Sequence, residues 1–160
     1  WREEISEFLW DLGCGVLNPC DKPTDEANEI DDDFERRMNF KKEGVFFEVN
    51  NIMKPIVGYD LRMVDVADAV ICYIDTDVHA CGTYHETAMA SSQRKPVLFV
   101  CKQGRENLPC WLFGQFDQSL FFSSWDSLKD YLVYVDTNGK KGILKKTGWR
   151  FFDYNKVYNR

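Results

Sequence analysis

The stretch from Asp75 to Glu86 carries side chains whose types and spacing could support chemistry at a carboxylate. Gly82 lacks a Cβ atom and would let the backbone approach a bound ligand closely. Thr83 is placed to cap a helix, which would put Glu86 in the first turn, where the helix N-terminus favours an ionised carboxylate. An ionised carboxylate at the mouth of a cleft can attack an electrophilic sugar carbon. These features make Glu86 the candidate nucleophile.

The same residues also fit a purely structural interpretation. Thr-x-x-Glu is the capping-box pattern, in which Glu86 bonds back to the backbone amide of Thr83, and on this segment alone that interpretation is preferred. His85 could hydrogen-bond a ligand, and a surface position on the helix fits it equally well. Asp75 follows a buried apolar run and could orient the nucleophile or a base.

Asp60 is the second carboxylate that could take part in a reaction. It lies in the sequence Gly-Tyr-Asp-Leu-Arg, ahead of Asp65 and Asp68. For Asp65 an exposed or capping role is the better interpretation. Cleavage of a glycosidic bond needs two carboxyl roles, one covalent and one in proton transfer. Asp60 and Glu86 could fill these roles if the fold brings both to one edge of a sheet.

Helical and strand patterns alternate along most of the chain. Apolar residues at helical spacing predict a helix that ends at Gly13, and further helices over 46–53, 59–67, 84–93 and 125–132. Short apolar runs predict strands at 16–17, 69–74, 96–101 and 119–122. This alternation predicts an α/β domain whose parallel sheet carries helices on both faces. Ligands bind at the carboxyl ends of the strands in such sheets, so we expect the site in the loop after Ile74.

Two segments stand apart from this pattern. Residues 21–35 are acidic and are interpreted as a solvated loop or helix face. Residues 138–160 form a basic, aromatic tail that could cover the core or reach a neighbouring subunit. The chain as a whole, 1–160, is expected to form a single domain.

Composition and charge limit the classes of partner. With 160 residues, of which 44% are hydrophobic, the chain can bury a core of ordinary size. The net charge of -6 argues against a nucleic-acid polymer as partner, although backbone amides could still bind a small anion. No apolar run is long enough to span a bilayer and no secretory signal opens the sequence. A cytoplasmic location is therefore expected.

The cysteines do not have the spacing of a zinc site. No two of the six form a C-x-x-C pair, and reduced, scattered thiols are predicted. Cys72 and Cys101 lie inside apolar runs, where a thiol acts as a small hydrophobe. His79, Cys81 and His85 are close in sequence and could bind a metal, but a fourth ligand is not apparent. No metal site is predicted.

The order of several of these residues resembles the nucleoside 2-deoxyribosyltransferase family. The matching positions are Asp60, Asp68, Asp75, the Gly82-Thr83-x-x-Glu86 core, Ala90 and Lys95-Pro96. The family's early part is similar to Trp1-Arg2 before a helix, Gly13, and Val16-Leu17-Asn18-Pro19. The likeness covers 1–132. Ala80 departs from it, because many members have Asp or Glu there, and 108–114 contains no equivalent of the family's Asn-x-Met.

The resemblance implies a flavodoxin-like or Rossmann-like fold, with a first strand upstream of Trp1, and a homo-oligomer. It implies cleavage of the N-glycosidic bond of a deoxynucleoside or deoxynucleotide, without a metal or organic cofactor. By position, Glu86 would attack the anomeric carbon and hold the sugar covalently, and Asp60 would bind the base and manage the proton on its leaving nitrogen. A second base accepts the sugar in transferases, and water accepts it in the hydrolase relatives. The expected substrate-binding residues are Asp75, Gly82, Thr83 and His85.

Two other functions fit the same residues. One is a glycohydrolase of NAD or a related nucleotide that uses the same glutamate and releases nicotinamide. The other is a nucleotide-binding or assembly protein that keeps the fold without turnover. Ala80 and the absence of the family's first strand favour the second of these, whereas the presence of both Asp60 and Glu86 opposes it.

Overall fold

A computed structural model describes residues 1–22 and 31–139. The helices in these ranges are α1 (Arg2–Asp11), α2 (Asp31–Lys42), α3 (Phe46–Val66), α4 (Cys81–Ser92), α5 (Cys110–Gln115) and α6 (Trp125–Gly139). The strands are β1 (Val70–Ile74), β2 (Val97–Cys101) and β3 (Phe121–Phe122), with 3₁₀ turns at Arg105–Asn107 and Gln118–Leu120. The greater part of the acidic segment and residues 140–160 of the basic tail lie outside the described residues.

The strands form one parallel sheet in the order β1-β2-β3. β1 pairs with β2 along its whole length, from Val70 opposite Val97 to Ile74 opposite Cys101. β2 occupies the centre, and all five of its residues are buried, as expected for a strand covered on both faces. The predicted α/β class, with a parallel sheet flanked by helices, is confirmed. The strand expected upstream of Trp1 stays a prediction.

Alternate residues of β2 face two separate hydrophobic clusters. Phe99 packs with residues of α3, α4 and α5 on one face of the sheet. Leu98 and Val100 pack with residues of α1 and α6 on the other. Because side chains alternate along a strand, an uninterrupted apolar run supplies both clusters at once. Helices therefore cover both faces of the sheet.

The predicted strand at 16–17 is wrong. Val16 and Leu17 lie in irregular structure, and Leu17 is half exposed. Two apolar residues between Gly15 and Pro19 offer too few backbone hydrogen bonds to hold a strand without a neighbour. The helix stop before them is confirmed, because Gly13 has a positive φ of 79° just after the end of α1.

The helices predicted at 46–53 and 59–67 form one continuous helix, α3. It passes through Pro55 and Gly58, although both residue types disfavour helix interiors. The continuous helix buries Ile56 and Val64 on the same side, so packing outweighs the local preference. Lys95 holds its last turn, because Nζ donates to the carbonyls of Val64 (2.6 Å) and Asp65 (2.5 Å).

The ends of other elements also differ from the sequence prediction. β3 is only two residues long, because 118–120 form a 3₁₀ turn in place of the first part of the predicted strand. α6 runs to Gly139, well beyond the predicted end at Leu132, and buries Val135 in its later turns. Asp126 lies in its first turn.

Three aromatic rings stack beside the carboxyl end of β1. The ring centroids of Trp1 and Trp125 lie 4.9 Å apart with an interplanar angle of 20°. Tyr73, the penultimate residue of β1, lies 5.2 Å from Trp1 and 5.5 Å from Trp125. The Arg2 guanidinium lies 4.5 Å from the Trp1 ring centroid. This stack joins the start of α1, the start of α6 and the sheet.

Candidate functional site

The loop after β1 is held by polar side chains from the neighbouring strand end. Asp75 Oδ2 lies 2.6 Å from the Lys102 Nζ, and its Oδ1 accepts from Gln103 Nε2 at 2.6 Å. The same Oδ1 accepts from the backbone amide of Asp77 at 3.1 Å. Both carboxylate oxygens of Asp75 therefore have partners within the protein, and this residue orients the loop that leads into α4.

Gln103 is a residue of this edge that sequence reasoning missed. Its Nε2 also donates to Asp77 Oδ2 at 3.1 Å, and its Oε1 accepts from the Thr76 amide at 3.1 Å. One side chain thus fixes three consecutive loop residues. Its position just after the buried strand β2 could have indicated this role, because the carboxyl ends of adjacent parallel strands meet at one edge of the sheet.

These contacts make stability sensitive to acid through Asp75. Hydrogen bonds from Lys102 and Gln103 lower the pKa of Asp75 to about 2. The pKa of an aspartate in an unfolded chain is about 3.9. A lowered pKa contributes stability above the unfolded value, and that stability is lost as the pH falls from about 4 to about 2. We expect the thermal unfolding midpoint of the wild type to fall more steeply over this window than that of Asp75→Asn. Thermal unfolding followed at a series of pH values checks this, with Asp130→Asn on the exposed side of α6 as the control. Parallel curves for wild type and Asp75→Asn would contradict it.

α4 begins three residues earlier than predicted, and this overturns both interpretations of Thr83. The first helical bond runs from the Tyr84 amide to the Ala80 carbonyl at 3.0 Å, so Ala80 is the N-cap and no side chain caps the helix. Thr83 is the third helical residue and caps nothing. Glu86 lies in the second turn, so neither the predicted first-turn position nor the capping box is formed. Gln103 holds residues 75–77 of the loop that precedes this N-cap.

Glu86 lies on the inner flank of α4, near the sheet. It is partly buried, as is Met89 one turn along, and Ala90 four residues on is fully buried. Burial, and secondarily the negative charge of Glu86, raises the pKa of the Cys72 thiol on β1. The carboxylate is therefore close enough to the middle of β1 for its charge to act there.

Asp60 forms a buried ion pair with Lys22. The two charged groups lie 2.8 Å apart (Nζ to Oδ1), and the side chains are 1% and 16% exposed respectively. Lys22 belongs to the segment after α1, whereas Asp60 lies on α3 between the buried residues Ile56 and Val64. Lysine is almost never fully buried unless it is paired, and nothing in the local sequence marked Lys22 for this place.

Asp60 and Glu86 lie at similar heights on two helices that pack together. α3 and α4 are in contact; α3 ends shortly before the start of β1, and α4 begins after the end of β1. Glu86 follows the start of α4 by about 8 Å, and Asp60 precedes the end of α3 by about 9 Å, at 1.5 Å per residue. Both carboxyl groups therefore lie near mid-height of the sheet, with Gly82 and Thr83 at its carboxyl edge.

Gly82 and His85 occupy more open positions. A Cβ atom built on Gly82 would meet no atom within 4 Å, and its φ is not positive, so the fold does not require glycine here. His85 is exposed, on the side of α4 away from the buried Ala90. Of the sequence-predicted substrate residues, Gly82 and Thr83 share the edge with Asp75, whereas His85 faces outward.

A separate groove lies on the other flank of α4. It encloses about 300 Å³ between α4 and α5, and its lining residues are Tyr84, Thr87, Ala88, Pro109, Trp111, Leu112 and Gln115. Glu86 follows Tyr84 by two residues, which is about 200° around a helix, so the two side chains leave α4 on nearly opposite sides. The groove is thus distinct from the position of the candidate nucleophile.

Among the described residues, the remaining His, Cys, Asp and Glu side chains form no candidate metal centre. All six cysteines are free thiols, and Cys72 and Cys101 are buried in strands, as predicted. Within 1–22 and 31–139, no three His, Cys, Asp or Glu side chains gather in a way that could hold a metal ion, His79, Cys81 and His85 included. No helix in the same part of the chain has the length and apolar character needed to cross a membrane.

Comparison of the chain with protein-family models, curated proteins and solved structures found no match. The geometry of the described residues and the sequence resemblance are therefore the grounds for assigning a function.

Proposed function

We propose that the protein cleaves the N-glycosidic bond of a deoxynucleoside or deoxynucleotide through a covalent intermediate on Glu86. The observation that carries this proposal is the pair of carboxyl groups, Asp60 and Glu86, on the contacting helices α3 and α4, which pack beside a parallel sheet. We further propose that the protein belongs to the nucleoside 2-deoxyribosyltransferase family and acts in the cytoplasm as a homo-oligomer.

Each carboxylate has a distinct part in the proposed reaction. A Glu86 oxygen forms a bond to the anomeric carbon while the bond from that carbon to the base breaks, its electron pair passing to the base nitrogen, which takes up a proton. A second base or water then attacks the same carbon and releases Glu86. Asp60 binds the base and manages the proton at the leaving nitrogen. Asp75 orients the loop before α4 through the contacts described above.

The start of α4 supplies groups suited to the sugar or a phosphate. The first amides of a helix have no intrahelical partner, and those of Cys81, Gly82 and Thr83 lie at the carboxyl edge of the sheet. The open space beside Gly82 is compatible with a ligand held against the backbone at this point.

Incubation of the protein with a panel of deoxynucleosides and their monophosphates, with and without an acceptor base, tests the proposal directly. Free base without acceptor would identify a hydrolase, and a new nucleoside only with acceptor would identify a transferase. NAD belongs in the same panel, because release of nicotinamide would point to the alternative glycohydrolase. Binding of a nucleotide without any product would overturn the proposal in favour of a non-catalytic binding protein.

Gly82→Ala separates ligand approach from folding. We expect the free energy of unfolding to stay the same or rise by up to about 1 kcal/mol, because alanine fits the space and restricts the unfolded chain. We expect base release to fall, because the added methyl group would occupy the place of the substrate. Urea unfolding and steady-state kinetics check the two parts. Ser92→Ala, at the far end of the same helix, is the control for a generic effect on α4. Unchanged kinetics for Gly82→Ala would remove Gly82 from the site.

A further inference from the structure

The Lys22–Asp60 ion pair is a buried charge arrangement that the proposed reaction does not yet use. Nζ of Lys22 lies 2.8 Å from Oδ1 of Asp60 without the directional geometry of a hydrogen bond, and Oδ1 is itself buried. The 16% exposure of the Asp60 side chain therefore belongs to its other atoms. One carboxylate oxygen of Asp60 therefore lies against the ammonium group, and the rest of the side chain accounts for its solvent exposure.

Stability alone gives no reason for this arrangement. Replacing a buried ion pair by well-packed apolar residues is often neutral or stabilising, because the desolvation of two charges offsets their attraction. The flanking positions on α3, Ile56 and Val64, are apolar and buried, so an apolar residue at position 60 would continue the same packed stripe. A carboxylate at this position, with a lysine brought from a distant segment to meet it, indicates a role for the carboxylate's orientation.

We infer that Lys22 is a positioning residue: it fixes Asp60 through Oδ1 so that Oδ2 can accept a hydrogen bond from the base of the substrate. The inference rests on the proposed function. Lys22 itself is 1% exposed and touches no substrate. In this inference it acts on the reaction through Asp60, whose Oδ1 lies 2.8 Å from the ammonium nitrogen.

The test is a double-mutant cycle in turnover, with Lys22→Met, Asp60→Asn and the double variant assayed for base release at a temperature where each is folded. We expect Lys22→Met to lower kcat by about a hundredfold, the cost of misplacing a catalytic group by about 1 Å. Because Lys22 acts through Asp60, the double variant should be no slower than Asp60→Asn. A purely structural role would instead give losses that multiply.

Lys129→Met is the matched control, because Lys129 forms an ion pair with Glu4 (2.5 Å) on the other face of the sheet. We expect it to retain the wild-type kcat and KM. If Lys22→Met does not fold, the comparison of Asp60→Asn with the double variant still tests the inference. The double variant leaves no charge of this pair behind, and in Asp60→Asn the amide oxygen that replaces a carboxylate oxygen can still accept from the buried ammonium group of Lys22.

The outcomes separate this inference from the proposed function. An active wild type, an inactive Glu86→Gln and full activity in Lys22→Met would overturn the role of Lys22 alone. A double variant much slower than Asp60→Asn would also overturn it. A wild type that releases no base from any nucleoside would overturn the proposed function, and the role of Lys22 with it.

Discussion

Glu86→Gln is expected to lower base release by on the order of a thousandfold or more while the protein stays folded. An amide oxygen is a poor nucleophile, so the covalent sugar intermediate cannot form. Since α4 starts at Cys81 without a side-chain cap, the loss of charge removes no capping box. Steady-state kinetics with the best substrate of the panel, together with circular dichroism, checks both parts.

Two comparisons make this result specific. Glu106→Gln, an exposed glutamate near the end of β2, is the matched control and should keep the wild-type rate. Acid quenching of the wild type during turnover, followed by peptide mass spectrometry, should show the sugar on the peptide that contains Glu86. A normal rate in Glu86→Gln, or a sugar attached elsewhere, would remove Glu86 as the nucleophile.

Lys22→Met is expected to destabilise the fold by about 3 kcal/mol, because it leaves the Asp60 carboxylate buried without its partner. For a chain of this size that corresponds to a fall of roughly 6–12 °C in Tm. The double variant Lys22→Met/Asp60→Asn should recover most of the loss, since no uncompensated charge remains. Urea and thermal unfolding of the three variants check this.

Lys129→Met again supplies the comparison. Its partner Glu4 is 70% exposed, and solvent screens the attraction between charges near the surface, so the loss of stability should be much smaller. If Lys22→Met lowers the free energy of unfolding no more than Lys129→Met does, the buried pair stabilises the fold no more than the surface pair. A double variant as unstable as Lys22→Met alone would show that the loss comes from packing of the lysine stem.

The sheet was predictable where a strand is buried on both faces. The runs at 69–74 and 96–101 are apolar without interruption, and they form the paired strands β1 and β2. The apolar run at 16–17 is only two residues long, and it forms no strand. The sequence predicted two helices in place of α3, because Pro55 and Gly58 disfavour a helix locally. The buried residues that hold its two halves together as one helix are buried only in the tertiary fold.

The candidate site was only partly predictable for a related reason. The sequence places Asp75, Gly82 and Thr83 at one strand end, because order along the chain decides that. It could not give the start of α4, nor the contacts by which Gln103 holds the preceding loop from the next strand. Nor could it give the partner of Asp60, because Lys22 meets α3 only in the folded chain.

The stack of Trp1, Tyr73 and Trp125 gives the molecule an optical signal at the end of the sheet. Two indoles with centroids 4.9 Å apart and planes 20° apart are close enough for their electronic transitions to couple. Signals of this kind in near-ultraviolet circular dichroism persist only while side chains keep fixed packing. Tyr73 lies two residues before Asp75, so the same rings report on the order of the strand end that positions the candidate site.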